Sequence, residues 1–350
     1  MIIPELNIIF SLITAFLITY VAIPKIIFFA EKLRLLDEAG VRASHKGSVP
    51  IFGGIAIFSG IIFSLLFWAD IENIQYILVS ILIVFFVGVI DDLIMLSPFK
   101  KLVGQVLATL ILIIAPADPI IIDSMHGVLG ISETLSTWIS IPFTIFVVIV
   151  ITNGYNLIDG VDGLAGGIGV ISSFSFGVIA LLMDQGDMAL VAFTLMGSLL
   201  AFLKYNFYPA KIFMGDTGSL VVGMILSILA INIISHGLVT ETVKFPNKGP
   251  LLAIVILAIP LFDSLKVFFV RVTKGRNPLS PGREHIHHTL LSLGLGHKKT
   301  TLILCLFALL MIGVSYFLLD LNVNIGIAIL ALISFILLYI PFYFFKGLPK

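Results

Sequence analysis

The stretch that decides the fold is IPFTIFVVIVITNGYNLIDGVDGLAGGIGVISSFSFGVIALL, residues 141–182. Its two ends belong to apolar runs that a lipid bilayer would accept as helices. Its middle, residues 153–167, is polar and rich in glycine, and hydrocarbon would exclude an irregular segment of that kind. The stretch therefore predicts two membrane helices joined by a polar turn at the membrane surface.

The composition of the whole chain agrees with a membrane protein. Of the 350 residues, 59% are hydrophobic and only 11% are charged, and the mean hydropathy is +1.17. A soluble domain of this length needs more polar surface, so we expect an integral membrane protein that is mostly helical. The net charge is zero, which excludes a broad basic surface for nucleic acid. The one cysteine, Cys305, lies in an apolar run and cannot form an internal disulfide.

Hydropathy predicts an all-α polytopic fold with eleven spans in a single domain, residues 1–350. The first span lacks a basic leader and is long enough to cross, so we expect it to remain as a helix. The segments near 74–90 and 138–153 are short, and their cytoplasmic ends are expected to run on into polar sequence. The spans lie near residues 6–30, 50–69, 74–90, 101–117, 138–153, 164–183, 188–204, 218–236, 249–271, 300–319 and 323–345.

Lysine and arginine indicate the orientation. With the N-terminus outside and the C-terminus in the cytoplasm, sixteen of the 20 basic residues fall in cytoplasmic segments. Lys25 and Lys266 lie near the inner ends of their spans, and only Lys244 and Lys248 fall outside. The positive-inside rule favours this topology.

Five polar stretches then reach the cytoplasmic face, whereas the opposite face has no comparable density of polar side chains. This one-sided arrangement indicates a site that takes its reagents from the cytoplasm. We found no convincing internal repeat, which argues against an inverted-repeat transporter. The stretches are residues 42–54, 91–102, 153–167, 207–219 and 281–291.

The acidic residues of these stretches suit a hard metal ion. Asp91 and Asp92 form a carboxylate pair at the end of a span, where two anions are costly unless a cation neutralises them. Asp159, Asp162 and Asp216 add three carboxylates. Oxygen ligands of this kind suit Mg²⁺ or Mn²⁺ and not zinc.

The remaining residues suit a diphosphate beside that metal. The glycines of residues 153–167 would let the backbone approach an anion closely. Lysine and arginine side chains would hold phosphate oxygens, so the stretches together predict a metal-assisted site for a diphosphate. The basic residues concerned are Lys46, Lys101, Lys211 and Arg283.

Each feature also has a structural alternative. The Asp91–Asp92 pair could be a solvated helix end, and residues 153–167 could be an ordinary glycine-rich turn. Asp216 or Thr217 could simply cap the helix that follows. The histidines at 285–288 could be surface residues or, less favoured, a zinc site. Asp263 and Lys266 we interpret as an i, i+3 structural pair within a span.

In combination, the stretches resemble the polyprenyl-phosphate N-acetylhexosamine-1-phosphate transferases. The matching motifs are DD at 91–92, NxxNxxDGxDGLAGG at 153–167, PAKIFMGDTGS at 209–219 and HIHH at 285–288. They follow the order and spacing of that family, and the motif-bearing region is residues 42–291. The resemblance implies transfer of a phospho-sugar from a UDP-sugar to a lipid phosphate, with magnesium and with release of UMP.

Carried over position by position, the resemblance implies roles for individual residues. Asp216 would bind magnesium, with Asn156 as a second ligand. Asp91 would take a proton from the lipid phosphate, and Asp92 would orient Asp91 or share its task. Asp159 would be a third catalytic carboxylate and would line the diphosphate pocket. The implied substrate contacts are His45, Lys46, Lys101, Asn153, Asp162, Lys211, Arg283, His285, His287 and His288.

Two branches of that family compete, one using a UDP-MurNAc-pentapeptide donor and the other UDP-GlcNAc or a related HexNAc. The motif REHIHHTLL, where the first branch usually has PIHHH, and PLFDSLKV at 260–267 favour UDP-GlcNAc. The resemblance also implies undecaprenyl phosphate as acceptor, a bacterial cytoplasmic membrane and a bilayer environment, and it allows a homodimer. An alternative of another class is a proton-coupled transporter or lipid flippase, whose ionisable groups should lie near the midplane and on both faces.

Overall fold

The computed structural model describes residues 4–33, 49–236, 238–239, 244–245, 247–275 and 284–344. This part of the chain is almost entirely α-helical, with one 3₁₀ turn at Val128–Gly130 and a short antiparallel pair of strands, β1 (Leu238–Val239) and β2 (Lys244–Phe245). The helices are α1 (Pro4–Lys32), α2 (Gly53–Trp68), α3 (Ile71–Ile94), α4 (Pro98–Ile114), α5 (Thr137–Leu157), α6 (Leu164–Leu182), α7 (Gly186–Asn206), α8 (Gly215–His236), α9 (Gly249–Ile256), α10 (Ala258–Thr273), α11 (Ile286–Ser292), α12 (Gly296–Leu318) and α13 (Val323–Phe344).

The all-α polytopic fold is confirmed. Every one of the eleven predicted segments coincides with helix in the described part of the chain. Seven helices are long and apolar enough to cross a membrane, and α9 with α10 would make an eighth. The two short predicted segments do run on into polar sequence: α3 continues through Asp91 and Asp92, and α5 continues through Asn153 and Asn156.

The predicted span near 249–271 differs from expectation because it is broken. Helices α9 and α10 meet at Leu257 with a bend of 81°. Pro260 explains the break, since proline has no N–H to donate to Ile256 and its ring crowds the carbonyl four residues earlier. The bend turns α10 away from the line of α9.

Helix α8 forms the centre of the bundle. It is buried from Thr217 to Ile233 and packs against α2, α3, α5 and α9. A helix that is apolar all round belongs in such a position. Helix α3 approaches it closely at Gly88, where a Cβ atom would lie 2.4 Å from the Cα of Thr217. The absence of a side chain at Gly88 therefore lets the C-terminal end of α3 reach the N-terminal end of α8.

The outside of the bundle is apolar, as expected of a surface in contact with lipid. Large hydrophobic side chains such as Phe67, Ile114 and Phe146 are exposed on several helices. The polar residues of the motifs lie instead where helices begin or end at one end of the bundle. The C-terminal ends of α3 and α5 meet the N-terminal ends of α4, α8 and α12 there.

Candidate active site

An ion-paired cluster forms the centre of the polar end. The ammonium nitrogen of Lys101, in the first turn of α4, lies 2.5 Å from Asp91 Oδ2 and 2.8 Å from Asp216 Oδ2. Asp91 lies in the last turn of α3, and its Oδ1 accepts a hydrogen bond from the Leu96 backbone N–H at 2.6 Å. The structure thus brings together three of the residues that the sequence predicts for the site, from three different helices.

Asp92 is held by the first turn of α8. Its Oδ1 accepts from the Asp216 N–H at 2.8 Å, and its Oδ2 accepts from the Thr217 N–H at 3.0 Å and from the Thr217 hydroxyl at 2.5 Å. Gly215 makes room for this contact, since a Cβ there would lie 2.7 Å from Asp92 Oδ2 and its φ is +71°. A carboxylate is stabilised in this position by the unpaired N–H groups and the dipole of the helix.

This contact corrects the alternative interpretation of the GDTGS motif. Helix α8 is capped by Asp92 from another helix, and not by Asp216 or Thr217. The Asp216 side chain is consequently free of the capping role and points to Lys101 and Asn156. Asp92 therefore contacts the backbone of Asp216, whereas the resemblance implies that it orients Asp91 or shares its task.

The two asparagines of residues 153–167 have different partners. The Asn156 amide nitrogen donates to Asp216 Oδ1 and, at 2.7 Å, to the Ser219 hydroxyl. Asn153 exchanges hydrogen bonds with the fully buried Gln105 of α4, at 2.9 and 3.4 Å. Sequence reasoning missed Gln105, although it follows Lys101 by four residues and therefore shares its helix face.

Asp159 lies in the turn between α5 and α6, half-buried among acidic neighbours. Burial holds the pKa of its carboxyl well above the ordinary value, and the negative charges of Asp216, Asp92 and Asp162 raise that pKa further. Such a group becomes ionised more readily when a cation approaches. The raised pKa therefore marks a place in the cluster where added positive charge would be stabilising.

Asp162 is almost fully buried and links the turn between α5 and α6 to the loop between α7 and α8 and to α12. Its Oδ2 accepts from the Ala210 N–H at 2.9 Å, and its Oδ1 lies 3.1 Å from Nδ1 of His297 in α12. Its backbone carbonyl accepts from the Thr301 hydroxyl at 2.8 Å. The geometry therefore does not support the predicted substrate contact of Asp162, because its oxygens face the protein interior. His297, which was visible in the sequence only as part of GLGHKK, was missed.

The histidine motif packs against the same turn. His285 is buried, and its Nδ1 lies 2.8 Å from Asp263 Oδ2. His287 faces Gly160, where a Cβ atom would lie 2.7 Å from His287 Nε2, and the His288 ring is 4.3 Å from that of His287. Burial lowers the pKa of His287 to about 3, with the neighbouring His288 as the second cause, so His287 is neutral at physiological pH.

The interpretation of Asp263 and Lys266 as a structural pair needs revision. Asp263 contacts His285 and the Ile286 N–H, and the ammonium of Lys266 donates to the Glu284 carbonyl at 3.0 Å. Both side chains thus reach the segment that carries the histidines. A spacing of three residues on a helix could not show this, since the partners lie about twenty residues away.

One of the remaining predicted contacts, Lys211, is not brought into the cluster. Lys211 is exposed on the loop between α7 and α8. His45, Lys46 and Arg283 lie outside the described residues, so their roles stay predictions. The sequence segment just after His45 and Lys46 does reach the site, because the N–H groups of Gly53 and Gly54 bond to the carbonyls of Phe213 and Met214 at 2.9 and 2.8 Å.

A magnesium ion fits this donor set if substrate completes its shell. Within the described ranges, no three histidine, cysteine or acidic side chains are arranged to hold a metal by themselves, which also removes support for a zinc site at 285–288. Magnesium usually takes one or two carboxylates and shares the rest of its shell with water and phosphate oxygens. The carboxylates of Asp91 and Asp216 exceed the single charge of Lys101, and added positive charge would favour ionisation of Asp159, so a further cation suits the cluster.

Comparisons with known proteins point in one direction. Residues 74–234, which span α3 to α8 and therefore Asp91 to Asp216, match the family model described as Glycosyl transferase family 4. The chain is 33% identical to a probable undecaprenyl-phosphate N-acetylglucosaminyl 1-phosphate transferase of Bacillus subtilis (strain 168), over 85% of this chain and 79% of the relative. It is 30% identical to a decaprenyl-phosphate N-acetylglucosaminephosphotransferase of Mycobacterium leprae (strain TN), over 84% and 79%. An undecaprenyl-phosphate alpha-N-acetylglucosaminyl 1-phosphate transferase of Escherichia coli (strain K12) is 28% identical, over 82% and 77%.

Proposed function

The chain belongs to the polyprenyl-phosphate N-acetylhexosamine-1-phosphate transferases of glycosyl transferase family 4, and on that premise we propose that it transfers GlcNAc-1-phosphate from UDP-GlcNAc to undecaprenyl phosphate. The observation that carries the proposal is the ion-paired cluster of Asp91, Lys101 and Asp216 at the polar end of an apolar bundle. The relatives' names supply the sugar and the lipid acceptor, and the cluster supplies groups suited to phosphoryl transfer. The protein acts in the bacterial cytoplasmic membrane, with the cluster facing the cytoplasm.

The chemistry requires an oxygen of the lipid phosphate to attack the β-phosphorus of the donor. The new bond joins that oxygen to the β-phosphorus, and the bond from the β-phosphorus to the bridging oxygen breaks as UMP leaves. Asp91 takes the proton of the lipid phosphate, which makes the oxygen a better nucleophile. Lys101, already paired with Asp91 and Asp216, stabilises negative charge on the transferring phosphoryl group.

Magnesium would be held by Asp216, with Asn156 beside it. When bound, it would polarise the diphosphate and spread the negative charge of the leaving group. In the described arrangement the Asn156 nitrogen faces Asp216, and a half-turn of the amide would present its oxygen instead. Asp92 keeps Asp216 in place through the first turn of α8.

An apolar cavity offers a path for the lipid chain. It has a volume of about 270 Å³ and lies between α5, α8 and the broken pair α9–α10. Val150 and Ile151, which line it, come directly before the polar end of α5, and Met125 and Val128 from the segment between α4 and α5 also line it. A polyprenyl chain in this cavity would have its phosphate directed towards the cluster.

The test is turnover by the purified protein. It would be incubated in detergent with Mg²⁺, UDP-GlcNAc and undecaprenyl phosphate, and the release of UMP would be measured. We expect one UMP for each lipid-diphosphate sugar formed, and no UMP when the lipid phosphate is left out. Failure to release UMP from any UDP-HexNAc would exclude the proposed function. A flippase would instead move lipid without consuming the donor.

Donor choice gives a separate prediction. We expect radiolabel to pass to undecaprenyl phosphate from UDP-GlcNAc or a close UDP-HexNAc, and not from UDP-MurNAc-pentapeptide. The physical reason is that a lactyl-peptide arm needs additional room and polar contacts, and no large cytoplasmic insertion in the sequence provides them. Efficient labelling from the MurNAc-pentapeptide donor alone would move the protein to the other branch and leave the phosphotransfer chemistry intact.

The histidine motif gives another prediction. Changing His287 or His288 to alanine should raise the KM for UDP-GlcNAc, lower kcat, or both, by about tenfold, because His287 packs against the turn that carries Asp159 and His288 packs against His287. Initial rates over a range of donor concentrations would check it. An exposed residue on the same helix, Ser292, provides the control as Ser292→Ala. Unchanged kinetics in both histidine variants would remove the motif from the donor site.

A further inference from the structure

Helix α10 has an unusual distribution of charge. Its exposed side carries Phe268, Phe269 and other large apolar residues, as expected of a surface in contact with lipid. Its buried side carries Asp263, Lys266 and Arg271, each no more than 6% exposed. Burying three ionisable side chains next to the hydrocarbon region is costly unless each has a partner. The partners therefore indicate what the buried side of α10 is for.

Asp263 has its partners at the start of α11. Its Oδ2 lies 2.8 Å from Nδ1 of His285, and its Oδ1 accepts from the Ile286 N–H at 2.8 Å. The carboxylate is only 1% exposed, so both interactions form away from water. One side chain thus fixes a histidine ring and the first backbone N–H group of the helix that carries the histidine motif.

The other two charges hold the residue that precedes His285. Lys266 donates to the Glu284 carbonyl at 3.0 Å, and Arg271 Nε lies 2.8 Å from Glu284 Oε2. Main chain and side chain of Glu284 are therefore both tied to α10. Three buried charges of one helix thus converge on three consecutive residues, Glu284 to Ile286.

We propose that Asp263 is a positioning residue for the UDP-sugar site, acting through His285 to hold α11 against the turn between α5 and α6. The inference rests on the proposed function, since it assigns the histidine motif to the donor. With the start of α11 fixed by Asp263, His287 in the first turn of α11 lies against Gly160 of the turn between α5 and α6. Asp263 itself does not touch substrate; it sets where His287 and His288 stand relative to Asp159.

The chemistry of the pair makes the role testable. An ionised carboxylate only accepts hydrogen bonds, so His285 carries a proton on Nδ1. In Asp263→Asn the amide oxygen can still accept from Ile286, but the amide nitrogen then faces His285 Nδ1. Two donors cannot bond to each other, so the His285 contact is lost, or the Ile286 contact is lost if the amide turns over and its oxygen accepts from His285. The variant is nearly isosteric and changes the hydrogen bonding more than the packing.

The experiment compares Asp263→Asn, His285→Ala and the double variant in the UMP-release assay. We expect each single change to raise the KM for UDP-GlcNAc about tenfold or more, while the KM for undecaprenyl phosphate changes less than about twofold. Because Asp263 acts through His285, the double variant should be no worse than His285→Ala alone. Multiplying effects in the double variant, or equal loss for both substrates, would contradict the positioning role and indicate a general loss of structure.

Controls separate the possible failures. Asp187 lies away from the site, and its Oδ2 accepts a hydrogen bond from the Asn73 amide at 2.8 Å. Asp187→Asn should leave both KM values unchanged. If Asp263→Asn does not fold, Glu284→Gln weakens the same attachment through Arg271 and should raise the donor KM in the same direction; an unchanged donor KM there would overturn the inference. A wild-type protein that releases no UMP would refute the proposed function, whereas an active wild type with an unchanged donor KM in Asp263→Asn would refute the positioning role alone.

Discussion

Asp216→Asn is expected to reduce turnover with UDP-GlcNAc and undecaprenyl phosphate by at least about two orders of magnitude. The change keeps the shape of the side chain but removes the negative charge that pairs with Lys101 and accepts from Asn156. It would also remove a carboxylate from a magnesium shell that is shared with substrate. Initial rates of UMP release at limiting and at saturating Mg²⁺ would measure the loss.

The matched control for Asp216 is Asp184→Asn. Asp184 is exposed in the turn between α6 and α7, at φ +56°, a conformation that asparagine also tolerates. We expect it to retain wild-type turnover and the same magnesium dependence. Near-normal turnover of Asp216→Asn at limiting Mg²⁺ would show that Asp216 does not anchor the metal.

Asp91→Asn and Asp92→Asn should both lower turnover strongly while leaving the affinity for UMP largely intact. If Asp91 is the base, as we propose, its change should lower turnover by about two to four orders of magnitude. Asp92 would lose one of the two oxygens that hold Asp216 and Thr217, which should cost about one to two orders of magnitude. Turnover and calorimetric UMP binding, measured on the same preparations, would check both.

The two aspartates can be distinguished by combination with Asp216→Asn. If Asp92 acts by orienting Asp216, Asp92→Asn should have little further effect once Asp216 has been changed. Asp91→Asn should still lower the residual rate, because the role we propose for Asp91 lies with the lipid phosphate. A variant of either aspartate that lost UMP affinity but kept its turnover would show that the roles assigned here are wrong.

Much of the fold could be predicted because the bilayer restricts a chain to few solutions. In hydrocarbon each backbone N–H and C=O must bond within its own helix, so apolar length alone located the eleven segments. The break at Leu257 was missed, although Pro260 was visible, because hydropathy is continuous across it. A proline near the middle of a long apolar run is the signal that could have indicated it.

The site could be predicted at the level of residue types but not of partners. Asp91, Lys101, Asn156 and Asp216 do meet, as the motifs indicated. Local spacing could not show that Asp92 caps a helix 124 residues further along the chain. For the same reason the sequence could not show that Asp162 links the turn between α5 and α6 to α12, since burial and a partner in α12 are properties of the tertiary structure.

The capping of α8 by Asp92 has a consequence for biosynthesis. Before α8 has been made, α3 ends with two adjacent carboxylates at the negative pole of its dipole, an unfavourable place for anions. Membrane helices insert first and associate afterwards. The partner of this end of α3, the first turn of α8, is translated more than a hundred residues later. The cluster of Asp91, Asp92 and Asp216 therefore cannot form before α8 has entered the membrane. A ribosome-bound chain that has not yet released α8 into the membrane has lipid-facing helices but no means of consuming donor.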